Sequence, residues 1–593
     1  MKQRNWHLTA LALTLVLGFA AAAGCGGDPG AKPNFVIILT DDQGWGDLSL
    51  TGNTNLATPR IDSLAQEGAM FDRFYVCPVC SPTRAEFLTG RYYPRGGVSG
   101  TSSGEERLDL DERTIAETFQ AGGYATGAFG KWHNGSQHPY HPNARGFQEF
   151  YGFTSGHWGN YFDPMLEHND KIVRGTGFII DDLTDHAIDF IEENRERPFF
   201  CYIPYNTPHS PMQVPDRFYE KFANADLRMR NRDPEQENLA HTRAALAMCE
   251  NIDWNVGRVL DALEELKLAD NTVVIYFSDN GPNGWRWNGD MKGRKGSIDE
   301  GGVRSPFLIR WPGRIPAGAR ITEIAGAIDL LPTLADLAGI PVVGDKPLDG
   351  VSLKPLLLGE ANEWPEREIL SFRLRGGEVS VRNQRFRLDA QGRLFDIAAD
   401  PGQRTDVAAR HPDVAARLRE VAERKGKPIA AEAGKDTRPY PVGYAASTWL
   451  PVRDAVSAGH IQRSNHFPNS SYFTNWVSTE DKVIWDVEVG RAGDYEAIVY
   501  YTCAAENVGS VVRLSFLGNS MMGVISEANE SPLIGAEHDR VERTESYDQN
   551  YKPLSLGVIA LEAGRGELVM QAAKIAGKQV MDLRALMLAR TSR

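Results

Sequence analysis

Cysteine is scarce in this chain, with six among 593 residues. A disulfide-held fold needs a denser framework. Cys77, Cys80, Cys201, Cys249 and Cys503 show neither paired spacing nor a metal-finger pattern. Long apolar runs are missing after the first two dozen residues, so no later segment reads as a membrane span. Positive charge is in deficit: 64 Lys and Arg stand against 78 Asp and Glu, a net charge of −14. Nothing here would neutralise a phosphate backbone, which argues against nucleic acid as the main partner. A locally basic pocket for a small anion is still compatible with that sum. Hydrophobic residues make up 42% and charged residues 24%. That balance excludes a disordered or collagen-like chain and allows large buried cores. At this length two or three domains are expected.

The first 25 residues have the composition of an export signal. Lys2 and Arg4 give a positive start, and Leu8 to Phe19 form a short apolar run. Ala22-Ala23-Gly24-Cys25 then resembles the cleavage box of a bacterial lipoprotein, although Ala22 stands where Leu is commoner. This reading lipidates Cys25, attaches the mature chain to a membrane, and places it in the periplasm or on the cell surface. The competing reading is a plain signal peptide cut after one of the alanines. Gly26 to Lys32 looks like a tether.

Two continuous apolar runs stand out, Asn34 to Thr40 and Thr272 to Phe277. Both read as buried, parallel strands. Amphipathic helices lie between them. The clearest spans about Asn238 to Leu268, with Cys249, Ile252, Val256, Val259, Leu263 and Leu266 at helical spacing. This predicts an α/β fold, a mostly parallel sheet covered by helices on both faces, over residues 33–340. Residues 341–427 change to short strands and a helix, which predicts a small antiparallel α+β subdomain. Residues 428–443 are small and polar and read as a flexible linker. Residues 444–593 alternate in β fashion, as in Val483, Trp485, Val487 and Val489, and predict a separate β-sandwich domain. Trp485 falls on its inward face; Trp449 and Trp476 are further core candidates. The module serves either glycan binding or structure.

The chemistry centres on Cys80-Ser81-Pro82-Thr83-Arg84, followed by Leu88-Thr89-Gly90-Arg91. Pro82 suits a first helical turn and Gly90 a helix stop, so Cys80 faces the positive end of a helix with Arg84 one turn along. That favours an anion at the cysteine. Asp41 and Asp42 follow the first apolar strand, and Asp279 and Asn280 follow the second. In an α/β sheet, sites form beyond such strand ends.

The Cys-x-Pro-x-Arg segment resembles the signature of the type I sulfatases, members of the alkaline-phosphatase-like superfamily. The resemblance extends over roughly Pro33 to Lys427. Gly130-Lys131-Trp132-His133 and Thr207-Pro208-His209 look like the family's histidine segments, and Gly293-Arg294-Lys295-Gly296 like its second lysine segment. It implies that a maturation enzyme oxidises Cys80 to Cα-formylglycine. It also implies one Ca2+ ion, held by Asp41, Asp42, Asp279, Asn280 and the Cys80 side chain. Oxygen donors of this kind suit a hard divalent cation.

The implied reaction is release of inorganic sulfate from a sulfated small molecule or glycan. Hydrated formylglycine attacks sulfur, with Asp279 as base. Arg84, Lys131 and Lys295 hold the sulfuryl oxygens, His209 serves the leaving oxygen, and His133 assists regeneration of the aldehyde. Two alternatives stay open: a phosphodiester or phosphonate monoester hydrolase of the same superfamily, and an inert, surface-anchored glycan-binding protein. Asn283-Gly-Trp-Arg-Trp-Asn288 lies between two of these motifs. Its aromatics and arginine either meet a sugar at the pocket mouth or pack into the protein's own core.

Overall fold

The computed structural model describes residues 32–361 and 363–591. The expected signal sequence and Cys25 lie outside them. No described helix is long and apolar enough to cross a membrane.

A ten-stranded sheet forms the centre of the molecule. Its five middle strands run parallel, in the order Thr272–Ser278, Asn34–Thr40, Phe199–Pro204, Ala125–Lys131, Glu149–Phe153. The flanks are mixed, since Phe307–Arg310 on one side and Met165–His168 on the other join antiparallel. Every residue of Asn34–Thr40, Phe199–Pro204 and Thr272–Ser278 is buried. Helices cover both faces, which is why these runs are apolar throughout rather than alternating.

Successive side chains of a strand point to opposite faces, and the two cores divide accordingly. Val36 and Ile38 pack into one, with helices Ile179–Glu193 and Leu239–Glu265. Phe35, Ile37 and Leu39 pack into the other, with helices Cys80–Thr89, Ile115–Ala121 and Leu330–Ala338. The long helix is capped by Asn238, whose side chain accepts from the His241 amide at 3.1 Å. It ends at Glu265, and Leu266, its C-cap, still packs half-buried against the core.

Residues beyond 340 build a four-stranded antiparallel sheet from Ile369–Phe372, Val379–Arg382, Phe386–Leu388 and Leu394–Asp396, backed by helix Pro412–Val421. After it, two β-sheets face each other across one core that contains Trp476, Trp485 and Tyr495. Trp476 and Trp485 are buried there, and half-buried Trp449 packs edge-on against Tyr500.

The expected flexible linker is not what the structure shows. Helix Lys427–Glu432 and strand Tyr440–Val442 occupy much of it, and that strand already pairs with Lys482–Val489 of the sandwich. Arg107 of the catalytic region holds the stretch between. It pairs with Asp436 at 2.9 Å and donates to the carbonyls of Pro439 and Arg438 at 2.8 and 2.6 Å. Small, polar composition read locally gives no sign of a guanidinium that arrives from more than three hundred positions away.

Candidate active site

Strand register creates the site. Thr40 lies opposite Ser278 in the parallel pair. The residues that follow therefore leave the sheet side by side. The Asp42 amide donates to Asp279 Oδ1 at 3.2 Å, and Asn280 Nδ2 donates to Asp42 Oδ1 at 2.8 Å. Helix Cys80–Thr89 points its N-terminus at the same place, tied down by Thr83 Oγ1 donating to the Asp279 carbonyl at 2.5 Å. Cys80 Sγ and one carboxylate oxygen from each of Asp41 and Asp279 lie within 4.8 Å of one another. Asp42 adopts a left-handed backbone, φ 68°, as does His133. Non-glycine residues held there store strain, which clusters at functional sites. Gly130 has φ 143°, and a Cβ on it would sit 2.0 Å from the Pro204 carbonyl oxygen. Only glycine lets the strand carrying Lys131 pack this closely.

Cations answer the buried carboxylates one by one. Lys131 Nζ pairs with Asp41, and Arg84 Nη2 pairs with Asp279 Oδ2 at 2.8 Å. Arg84 Nη1 also donates to the Lys131 carbonyl at 2.6 Å, which fixes the guanidinium plane. Lys295 Nζ reaches Asp42 Oδ1 at 2.7 Å, and His209 Nε2 lies 3.6 Å from Asp42 Oδ2. His133 stands apart from this network. Its Nε2 bonds the Thr101 carbonyl at 2.8 Å, and its buried Nδ1 has no partner.

Charge states follow from burial and these neighbours. Burial pushes Asp279 up to about 7, with Asp41 adding to the rise and Arg84 opposing it. Burial would also raise Asp41 and Asp42, but Lys131 and His209 for the first, and Lys295 and His209 for the second, hold both below the usual carboxylate range. Burial, helped by Lys295, pushes His209 down. Burial raises the Cys80 thiol despite Lys131 and Lys295 nearby. The helix terminus therefore does not yield the anionic cysteine that the sequence suggested. Desolvation, with Asp41 and Asp279 adding to it, outweighs the pull of Lys131 and Lys295.

Two buried oxygens, Asp41 Oδ1 and Asn280 Oδ1, have no hydrogen-bond partner. Orphaned buried acceptors call for a donor or a cation. Together with Asp42 and Asp279 they offer an all-oxygen donor set, which fits a hard divalent ion.

The loop between the motifs resolves differently for each of its side chains. Arg286 is 1% exposed, paired with Asp47 at 2.6 Å and donating to the Asp42 carbonyl at 2.9 Å. Its charge is answered by Asp47, and it braces the Asp42 backbone. Trp287 packs near Trp45, while half-buried Trp285 lies against Arg294.

Sequence reasoning missed several groups at this site. His157, from the loop after strand Glu149–Phe153, has its ring 5.5 Å from that of His209. Glu545, from the C-terminal sandwich, accepts a hydrogen bond from Ser210 Oγ. Arg453, also from the sandwich, donates to Ser155 Oγ at 2.7 Å and to Ser136 Oγ. None lies in a motif, and only the docking of the sandwich brings the last two into play.

The Sulfatase family model matches residues 33–340, and a model described as N-sulphoglucosamine sulphohydrolase, C-terminal, matches residues 294–421. The chain belongs to the sulfatase family, within the alkaline-phosphatase-like superfamily, and is an enzyme of that family. The N-acetylgalactosamine-6-sulfatase of Canis lupus familiaris is 32% identical over 402 residues, covering 62% of this chain and 73% of that protein. The N-acetylgalactosamine-6-O-sulfatase of Bacteroides thetaiotaomicron is 29% identical over 520 residues, covering 69% of this chain and 98% of its own length. Among solved structures, Ps i-CgsB in complex with k-i-k-neocarrahexaose is similar at 31% identity and a TM-score of 0.61, covering 68% of this chain and 94% of that one.

Proposed function

We propose that the protein hydrolyses sulfate esters of a carbohydrate and releases inorganic sulfate. The observation that carries this is one buried cluster at the ends of two adjacent strands, containing Cys80, Asp41, Asp42, Asp279 and Asn280 and ringed by Arg84, Lys131, Lys295 and His209. The two relatives reported above are N-acetylgalactosamine sulfatases by name, and they support the carbohydrate assignment. Cys80 enters the reaction as Cα-formylglycine, installed by a maturation enzyme.

Asp41, Asp42, Asp279 and Asn280, with the matured Cys80 side chain, would hold one Ca2+ ion. When bound, that ion supplies positive charge to the sulfate oxygens and to the nucleophilic oxygen. The remaining work belongs to the chain. Arg84, Lys131 and Lys295 carry fixed positive charge in a water-poor pocket, where it is already oriented toward the sulfuryl group. Asp279, raised into the neutral range, is suited to take a proton from the nucleophile. His209 is held by Asp42 and by Nδ1–H donating to the Ser210 carbonyl at 2.8 Å, and in its doubly protonated form it donates from Nε2 to the departing oxygen. His133, with Nδ1 unpaired, serves turnover of the residue at position 80. An export signal ending in lipidated Cys25 would put this chemistry at the cell surface.

The test is product analysis. Protein co-expressed with a formylglycine-generating enzyme is incubated with matched aryl sulfate and aryl phosphate esters, and the residue at position 80 is read by peptide mass spectrometry. Sulfate release by the aldehyde form, well above phosphate release, is expected. A preference for phosphate would overturn the proposal in favour of a phosphoester or phosphonate hydrolase.

A further inference from the structure

The C-terminal module supplies one side of the site. Two of its loops, 464–471 and 543–548, are joined: Ser464 Oγ and Ser546 Oγ lie 2.7 Å apart, and Asn465 Nδ2 donates to the Thr544 carbonyl at 2.7 Å. They reach the catalytic region at several points, Arg543 Nη1 donating to the Gly159 carbonyl among them. Ser470 Oγ donates to the His157 carbonyl at 3.2 Å. A Cβ on Gly156 would meet His133 Nε2 at 2.3 Å and Asn469 Nδ2 at 3.0 Å, so these two residues flank the same glycine. Glu545 takes the hydrogen bond of Ser210, the residue next to His209.

His157 lies among these contacts. It is 7% exposed, and neither of its ring nitrogens has a hydrogen-bond partner. Buried polar groups in a settled core find partners, so an imidazole left unpaired beside His209 is available to a polar ligand. Burial, reinforced by His209, pushes His157 down to about 3. The ring is therefore neutral and offers one donor and one acceptor.

We propose that His157 and Glu545 form a recognition subsite for the sugar ring that bears the ester, accepting its free hydroxyls and rejecting a ring with a second anion beside the scissile sulfate. This rests on reading the protein as a carbohydrate sulfatase. His209 serves the leaving oxygen, so the ring that departs lies on the side where His157 and Glu545 stand. Hydroxyls can donate to the Glu545 carboxylate and exchange hydrogen bonds with the imidazole. A neighbouring sulfate or carboxylate meets like charge there. Specificity of this sort comes from a built-in repulsive element as much as from attraction. Lys131, Arg84 and Lys295 face Asp41, Asp279 and Asp42 around Cys80, so their charge serves the scissile sulfate and none of them pairs with Glu545.

The experiment uses the full-length, formylglycine-bearing protein turning over p-nitrophenyl sulfate. N-acetylgalactosamine 6-sulfate and its 4,6-disulfate serve as competing inhibitors. In the wild type the monosulfate should inhibit about tenfold more strongly than the disulfate. Glu545→Gln keeps the shape and an acceptor for Ser210 but removes the charge. Its preference should shrink to within about twofold. His157→Ala should weaken both inhibitors by about tenfold and leave their ratio in place. A residue that only docks the module would move the melting temperature and not the ratio. An unchanged ratio in Glu545→Gln, with turnover retained, overturns the subsite. Failure of the wild type to cleave p-nitrophenyl sulfate at all overturns the sulfatase reading, and the subsite with it.

Discussion

Replacing Arg453 with leucine tests how firmly the sandwich is built into the enzyme. Arg453 is 3% exposed and sits on the sandwich side of the junction. It pairs across it with Glu106 at 3.2 Å and within its own segment with Asp454 at 3.2 Å. It also donates to Ser155 and Ser136. Leucine matches much of the volume but leaves two buried carboxylates and two hydroxyls without their donor. Breaking a buried pair from one side costs about 3–5 kcal/mol, and two lost hydroxyl partners add roughly 1–3 kcal/mol each at most. Part of that is recovered by protonation. Burial already raises Glu106 above its usual range, with Arg453 opposing, so loss of Arg453 sends it higher still. A carboxyl whose folded pKa is raised binds more protons folded than unfolded, so stability falls as pH rises through that value. The R453L deficit should therefore be larger at pH 8 than at pH 5. Urea unfolding followed by tryptophan fluorescence, to which Trp476 and Trp485 of the module core contribute alongside the catalytic region's tryptophans, measures it at both pH values. A loss below about 0.5 kcal/mol at pH 8, the level of an ordinary surface change, would show that the junction carries no such weight. The same contacts predict that a chain ending near Ala430 loses solubility or activity. Such a cut exposes Glu106, Arg107 and the Gln213 side chain, which bonds the Gly535 carbonyl at 2.7 Å.

Cys80→Ala should fold with an unchanged melting temperature and release no detectable sulfate, since alanine cannot be matured; wild-type turnover would place the nucleophile elsewhere. Lys131→Met should lower kcat by about 10²–10³, the usual cost of one preorganised charge, with KM for p-nitrophenyl sulfate changing far less. Chelation of divalent ions should lower the melting temperature and abolish turnover, and added Ca2+ should restore both. Binding to the native state alone stabilises by about 2.7 kcal/mol at a hundredfold excess over Kd. No change in melting on chelation would argue against a cation among Asp41, Asp42, Asp279 and Asn280.

Much of the central architecture was legible because apolar runs announce buried strands and acidic residues at their ends announce a site. The runs at Asn34 and Thr272 became neighbouring parallel strands, and the residues picked from motifs converge around Cys80. His133 does not join the ion-pair network, and a motif gives no warning of that. Local patterns carry no information on docking, and this hid the rest. His157 is a lone histidine in a glycine- and tryptophan-rich loop. Glu545 is an acid among acids more than a hundred residues beyond the last motif. Asp436 looked like linker because its partner Arg107 is remote. The Trp285 to Trp287 loop could not be sorted from sequence, since whether a side chain faces substrate or core depends on the Asp47 carboxylate that captured Arg286.

Cys80 is 3% exposed, at the start of a helix that lies under a finished sheet. One of the two acids beside it, Asp279, arrives some two hundred residues later in synthesis. Any enzyme that modifies the Cys80 thiol must reach it while the chain is still open, because the completed fold closes over it. If Cys80 is converted as proposed, maturation and folding are rivals in time, and the yield of active protein depends on which finishes first. A variant that folds more slowly, without being less stable, should carry more of the modified residue; one that folds faster should carry less, however well its active site is built.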